Sequence, residues 1–133
     1  MSELWQCSAV ELLRLYKVGS TSPVEVVESC FGRIASVDSQ VGAFRQILYE
    51  EAVSEAKRLA AVSRESRSKM ALYGIPVAIK ELFDVKDTTG CYGSEVLAKR
   101  ISEADAAVVT RLREAGAIII GLTRAHEFGW GIT

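Results

Sequence analysis

The sequence has few of the residues that build metal sites and disulfide frameworks. It contains one histidine, His126, and three widely spaced cysteines, Cys7, Cys30 and Cys91, with no C-x-x-C pair. Structural zinc sites use four patterned Cys or His ligands, and disulfide frameworks use an even number of cysteines. The sequence therefore predicts neither a metal site nor a disulfide scaffold, and it favours a reducing, cytoplasmic setting.

An excess of charge of one sign is missing, and so are long apolar runs. The 16 basic and 17 acidic residues give a net charge of -1, so no positive field would attract nucleic acid. No apolar run is long enough to span a membrane, and the first residues lack the pattern of a signal peptide. We therefore expect neither direct binding of nucleic acid nor a membrane location.

Helical and strand patterns alternate along the chain. Ser22 and Glu25 have capping-box spacing at the second helix, and Ser102 and Asp105 have the same spacing before the last one. The polar stretch 64–69 is predicted as a loop. The predicted elements are helices at 8–18 and 22–37, a strand at 43–48, a helix at 50–63, a strand at 75–80, a helix that ends at 115 and a strand at 117–122. This order predicts a layered α/β fold with helices on both faces of the sheet.

A short apolar run, which predicts a buried strand, ends abruptly in a lysine within the sequence GIPVAIKE at 74–81. Strand alternation would place Ile75, Val77 and Ile79 on one face. Lys80 would share the other face with Pro76 and Ala78, and Glu81 would point away from it. A buried amine can lose its proton and act as a base toward a serine hydroxyl. A lysine at this place can equally reach into solvent, so the residues alone leave both interpretations open.

The other chemistry-bearing residues are isolated in the sequence. His126 and Glu127 could join Asp105 in a triad or metal site, but no patterned ligands accompany them, which favours a structural histidine. Cys91 lies in the glycine loop 90–94, which matches neither G-x-S-x-G nor a phosphate loop. No partner base for its thiol is identifiable in the sequence.

Three stretches together resemble the amidase signature family of serine hydrolases. They are 72–85 with 88–90, 105–121 and 123–133, and the helices from Leu12 to Ile34 are similar to the family's opening. The resemblance implies the amidase signature fold, a mixed β-sheet covered by helices on both faces. Residues 1–133 would be the N-terminal segment of a single amidase domain. It also implies hydrolysis of amide C–N bonds through a serine acyl-enzyme, without metal or organic cofactor.

The resemblance assigns a catalytic role to Lys80. The lysine of the family's G-I-P-V-A-x-K motif is the base of a Ser–cis-Ser–Lys triad. Gly129 and Trp130 lie in a stretch that is near the acyl-binding cleft in the family, so they are candidate substrate-binding residues. A packed core position is the alternative for Trp130. Glu81 and Leu122 differ from the family's usual aspartate and lysine.

The chain does not contain the Gly/Ser-rich signature that carries both catalytic serines and the oxyanion loop in this family. We therefore expect the 133-residue segment to be inactive alone, and marginally soluble because its strands would lack sheet partners. The expected partner is a small-molecule amide, and the first helices could pack on a second copy in a homodimer.

Two alternatives to a stand-alone amidase remain open. One is the amide-transferring component of a tRNA-dependent amidotransferase, which has the same fold. The sequence HEFGWG at 126–131 resembles that of stand-alone amidases more closely. The other is a non-catalytic α/β fragment in which Lys80 is solvated.

Overall fold

The computed structural model describes Glu3–Gly131, which folds into a mixed α/β arrangement. In this range the helices are α1 (Ala9–Val18), α2 (Pro23–Val41), α3 (Tyr49–Ala60), α4 (Arg64–Ser68) and α5 (Ala107–Glu114), and the strands are β1 (Phe44–Ile47), β2 (Pro76–Lys80) and β3 (Ile118–Thr123). Single 3₁₀ turns occur at Leu4–Gln6, Glu95–Leu97 and Glu127–Gly129. The predicted order of major helices and strands is confirmed.

Reciprocal capping boxes start the first two helices. The hydroxyls of Ser8 and Ser22 accept hydrogen bonds from the backbone N–H groups of Glu11 and Glu25. Each glutamate carboxylate accepts the backbone N–H of its serine in return, at 2.7 Å for Ser8 and 2.8 Å for Ser22. Both helices therefore begin where polar side chains satisfy N–H groups that have no partner within the helix.

Two element boundaries differ from the prediction. Helix α2 continues past residue 37 to Val41, where Gly42 adopts a left-handed conformation with φ of 62° and ends it. The stretch 64–69, predicted as a loop, contains the short helix α4. Its first turn is capped because the Ser63 hydroxyl accepts the N–H of Ser66.

The capping box predicted at Ser102 and Asp105 is wrong. Helix α5 begins at Ala107, and its N-cap residue makes no side-chain hydrogen bond to the helix. Ser102 is fully buried and donates to Asp84 at 2.9 Å. The carboxylate of Asp105 accepts the backbone N–H of Lys86 at 2.8 Å. The two side chains whose spacing indicated a cap therefore form hydrogen bonds with groups outside the helix.

The sheet has the order β1-β3-β2, with β3 antiparallel to β1 and parallel to β2. Val77 pairs with Ile119 and Ala78 pairs with Gly121, so Ile120 is an extra residue in β3. The sheet is mixed, as the resemblance implied, and β2 lies at its edge.

Apolar side chains cover both faces of β3, as its unbroken hydrophobic run predicted. On one face Ile118 packs with the core of α1, α2 and α3, where Val26 and Leu59 are completely buried. On the other face Ile119 packs with Ile79, Val85, Leu122 and Val109 of α5. Strand β3 thus joins the two clusters and fixes the position of β2 beside it.

Candidate active site

Lys80 is the last residue of β2, on the exposed face of an edge strand. The alternation predicted for this strand is confirmed at its end, where Ile79 is buried and Ala78 and Lys80 are exposed. The expectation of a wholly buried strand is wrong, since only one face is covered. No hydrogen bond or ion pair joins the Lys80 amine to another group within Glu3–Gly131.

Glu81 points the other way and is 3% exposed. One carboxylate oxygen accepts the backbone N–H of Ala125 at 2.7 Å, and the other accepts the thiol of Cys91 at 2.9 Å. The Nε atom of Arg45 lies 4.0 Å from the second oxygen. Glu81 also donates its backbone N–H to the carbonyl of Thr123 at 2.9 Å. The residue after the candidate base is therefore anchored to three other segments.

Cys91 has a partner that the sequence did not indicate. Its thiol is buried and donates to the Glu81 carboxylate, which lies ten residues earlier in the chain. The thiol is therefore not open to a ligand, since its side chain is 2% exposed and its hydrogen is directed at the carboxylate. The geometry therefore supports a structural hydrogen-bond donor, in line with the absence of a sequence motif around it.

Asp84 organises the loop that follows β2. Arg100 binds its carboxylate in a bidentate ion pair with distances of 2.7 and 2.8 Å. Ser102 and Tyr92 donate to the same carboxylate at 2.9 and 3.0 Å. The Arg100 guanidinium, followed by these hydroxyls, lowers the pKa of Asp84 to about 2. A Cβ atom on Gly90 would overlap with Arg100 and Ser102, so a larger residue there would displace the side chains that bind Asp84.

The segment that begins at residue 125 packs on the loop at 91–94. Ser94 is buried and donates to Glu127 at 2.7 Å, and the N–H of Phe128 donates to the carbonyl of Tyr92 at 2.8 Å. A Cβ atom on Gly93 would lie 2.6 Å from the carbonyl oxygen of Ala125. These contacts hold the two segments against each other beside the end of β2.

The two carboxylates considered together with His126 both bond to other residues. Glu127 is bonded to Ser94, whereas Asp105 pairs with Arg113 at 2.9 Å in front of α5. Among the residues of Glu3–Gly131, no group of three or more His, Cys, Asp or Glu could hold a metal ion. In the same range no helix is long and apolar enough to cross a membrane.

Gly129 lies against the residues that follow Lys80. It has φ of 71°, and a Cβ atom there would lie 2.9 Å from Cδ1 of Leu82. Trp130 is 91% exposed, so it is not part of the core that the described residues form. The aromatic side chains of Phe83 and Phe128 are also exposed, at 47% and 62%. Phe83, Phe128 and Trp130 are thus exposed aromatic residues in the two segments that meet near the end of β2.

A family model described as Amidase matches residues 25–133, which is most of the chain. The chain belongs to the amidase signature family. Members of this family hydrolyse C–N bonds. The stretch around Lys80 and the mixed sheet of this chain both lie within the range that the family model matches.

Curated and solved amidase relatives are much longer than this chain. The A-type component of the glutamyl-tRNA(Gln) amidotransferase of Thermobifida fusca (strain YX) is 37% identical over 131 residues, which are 98% of this chain and 26% of the relative. An amidase of Pseudomonas putida is 34% identical over 133 residues, 98% of this chain and 28% of the relative. A solved, inhibitor-bound vestigial complex connected with the origins of an s-triazine catabolic enzyme is 32% identical, with a TM-score of 0.88, over 96% of this chain and 28% of that chain. The chain spans about a quarter of the length of these relatives.

Sequence reasoning missed the groups that hold the end of β2 and the segment after residue 125 in place. Arg45 and Ala125 meet Glu81 from far along the chain, and Ser94 meets Glu127 across 33 residues. None of these pairs has a local spacing that a motif could reveal. The burial of Glu81 was foreseeable only in part, because strand alternation sends it away from Lys80.

Proposed function

We propose that this chain supplies the general base of an amide hydrolase, with Lys80 as that base in a Ser–cis-Ser–Lys triad. The observation that carries the proposal is the match of the amidase family model to residues 25–133, which include Lys80 in the GIPVAIK stretch. The environments of two neighbouring residues agree with it. The Lys80 amine is exposed and has no acceptor among the described residues, whereas the Glu81 carboxylate is buried and bonded on the opposite face. A lysine kept for an ion pair would have a carboxylate on its own face.

In the proposed reaction the neutral Lys80 amine takes a proton from a bridging serine. That serine takes the proton of a nucleophilic serine, whose oxygen attacks the amide carbonyl carbon. The C–N bond breaks as the leaving amine receives that proton from the Lys80 ammonium through the bridging serine. Water then hydrolyses the acyl-enzyme by the same proton transfers. Both serines would be supplied by sequence outside the 133 residues, with this chain as the N-terminal segment of one amidase domain. We expect the segment alone to be inactive.

In this proposal the exposed face of β2 is the surface on which the rest of the domain would pack. The remaining part of the domain would cover Ala78 and Lys80 and remove water from the amine, which favours its neutral form. Gly129 and Trp130 would line the acyl-binding cleft for a small amide, because Gly129 contacts Leu82 and Trp130 is open to a ligand. We expect a cytoplasmic enzyme, without metal or organic cofactor, that can form a homodimer.

The test is Lys80→Ala in the longest polypeptide that the gene encodes. We expect amide turnover to fall roughly 10²–10⁴-fold or more, the usual contribution of general acid–base catalysis. Lys57→Ala is the matched control, since Lys57 is an exposed lysine on α3. Turnover that is the same in both variants would reject the role of Lys80. It would then favour a non-catalytic α/β chain with a solvated lysine.

A second candidate is the amide-transferring component of a tRNA-dependent amidotransferase. The relative from Thermobifida fusca belongs to a glutamyl-tRNA(Gln) amidotransferase, and it is 37% identical to this chain, against 34% for the Pseudomonas putida amidase. Affinity purification of the gene product from its native cells distinguishes the two. A stoichiometric tRNA-binding partner would support the amidotransferase, and hydrolysis of free amides by the isolated protein would support the stand-alone amidase.

A further inference from the structure

A cleft of about 660 Å³ lies between the end of α1 and the segment that contains α4. Its volume falls within the range of sites for small organic ligands. Tyr73, at its base, precedes β2, whereas Lys80 ends that strand. The cleft is therefore at the opposite end of β2 from the candidate active site, and the proposed function does not use it.

The base of the cleft is aromatic and apolar. The rings of Tyr16 and Tyr73 meet edge to face, with their centroids 5.5 Å apart, and both side chains are buried. Their hydroxyls donate to the carbonyls of Gly74 and Leu59, at 2.9 and 3.1 Å. With the hydroxyls used in this way, the rings and the side chain of Met70 leave a predominantly apolar wall.

The rim of the cleft carries charge of one sign. Its lining residues include three cations, Lys17, Arg64 and Arg67, and no carboxylate. Within Glu3–Gly131 neither Lys17 nor Arg64 takes part in an ion pair. Two other cations near the cleft are paired, Arg58 with Glu55 and Lys69 with Glu65.

Arg67 is already fixed in position. Its Nε donates to the carbonyl of Val62 at 3.1 Å, and its Nη2 donates to that of Ala60 at 2.8 Å. Its guanidinium carbon lies 5.3 Å from the centre of the Tyr73 ring. Among the described residues the Nη1 group has no acceptor. A guanidinium held in this way binds an anion with less loss of side-chain entropy than a free one.

We propose that this cleft binds a small organic carboxylate with an aromatic or branched apolar body. The apolar part would rest on Leu13, Val18 and Met70, beside the buried rings of the two tyrosines. The carboxylate would meet Arg67, with Lys17 and Arg64 at the rim. An inorganic anion would leave the apolar wall unused, whereas a neutral apolar molecule would leave the three cations uncompensated. The combination therefore selects a ligand that carries both features.

The experiment is isothermal titration calorimetry of the longest polypeptide that the gene encodes. The probes are 4-phenylbutyrate, its neutral isostere 4-phenyl-1-butanol, and inorganic phosphate. We expect 4-phenylbutyrate to bind at least about tenfold more tightly than either comparison probe. Its affinity should decrease as salt is raised, because the rim charges are exposed. Equal binding of the acid and the alcohol, or of the acid and phosphate, would overturn the proposal.

Variants locate the binding to the cleft. Lys17→Gln with Arg64→Gln should weaken 4-phenylbutyrate binding at least about fivefold, whereas Lys57→Gln with Arg111→Gln changes the net charge equally outside the cleft and should leave it unchanged. All four positions are exposed, so thermal unfolding should stay the same. Lys80→Ala should also retain binding, which separates this cleft from an active site that binds acids as products. Loss of binding in Lys80→Ala, or an equal effect of both double variants, would contradict the assignment.

Discussion

At the scale of single residues, the neighbours Lys80 and Glu81 have opposite environments. The alternation of a strand was enough to predict that they face opposite ways. It could not predict that Glu81 is buried, because the groups that satisfy its carboxylate, at Cys91 and Ala125, come from distant segments. A buried carboxylate needs such partners to offset its desolvation, and the sequence does not show which residues provide them.

Glu81→Gln tests this anchoring. Glutamine has nearly the same volume, but its NH₂ group cannot accept one of the two hydrogen bonds from Cys91 and Ala125. We expect the free energy of unfolding to decrease by about 1–3 kcal/mol, the cost of a buried donor left without an acceptor. Urea unfolding measures it, with Glu50→Gln, an exposed position on α3, as the control. Similar unfolding midpoints in both variants would show that the Glu81 bonds contribute little.

The lowered pKa of Asp84 predicts that the stability of the chain depends on pH. Arg100, with Ser102 and Tyr92, lowers its pKa to about 2 in the folded chain, against about 3.9 in an unfolded one. The lowered pKa contributes stability above the unfolded value, and this contribution is lost as pH falls through the folded value. We therefore expect Asp84→Asn to be less stable than the native chain at pH 7, and the difference to decrease between about pH 5 and 2. Urea midpoints across this range provide the measurement, and a constant difference would contradict the assignment.

At the scale of elements, capping-box spacing predicted a helix start correctly only where the capping side chain bonds to its own helix. The serines before α1 and α2 bond to their own helices, and both starts were predicted correctly. The same spacing failed before α5, because Ser102 bonds to Asp84 and Asp105 bonds to Lys86 and Arg113. Capping spacing therefore shows only that a side chain is able to bond to the start of its helix. Whether it does so depends on which other hydrogen-bond partners the tertiary fold brings close to it.

Ser22→Ala tests the contribution of a local cap. It removes the hydroxyl that accepts the N–H of Glu25, and we expect it to cost about 1 kcal/mol of stability. Ser39→Ala is the control within the same helix, at an exposed position in its last turn. Alanine has the higher helix propensity there, so this variant should be as stable as the native chain or slightly more stable. Chemical unfolding of both variants is the measurement, and an equal loss in both would contradict a specific capping role.

At the scale of the whole molecule, the fold class was predictable and the distribution of exposed surface was not. The apolar run of β3 indicated a strand covered on both faces, and that is where the two core clusters meet. The similar run of β2 indicated the same, yet Ala78 and Lys80 are exposed. A sequence pattern cannot show which strand lies at an edge, because strand order depends on pairing across the whole sheet.

Exposed aromatic side chains near the end of β2 predict self-association of the 133-residue chain. Phe83 and Trp130 are 47% and 91% exposed, and the contact between Leu82 and Gly129 joins their two segments. Clustered apolar surface favours association, whereas scattered apolar residues do not. We therefore expect Phe83→Ser with Trp130→Ser to reduce concentration-dependent association in sedimentation velocity. Val18→Ser with Val96→Ser, at positions 73% and 88% exposed on other elements, should have little effect. A native chain that stays monodisperse at high concentration would contradict this expectation, and it would weaken the proposal that further parts of an amidase domain cover this face.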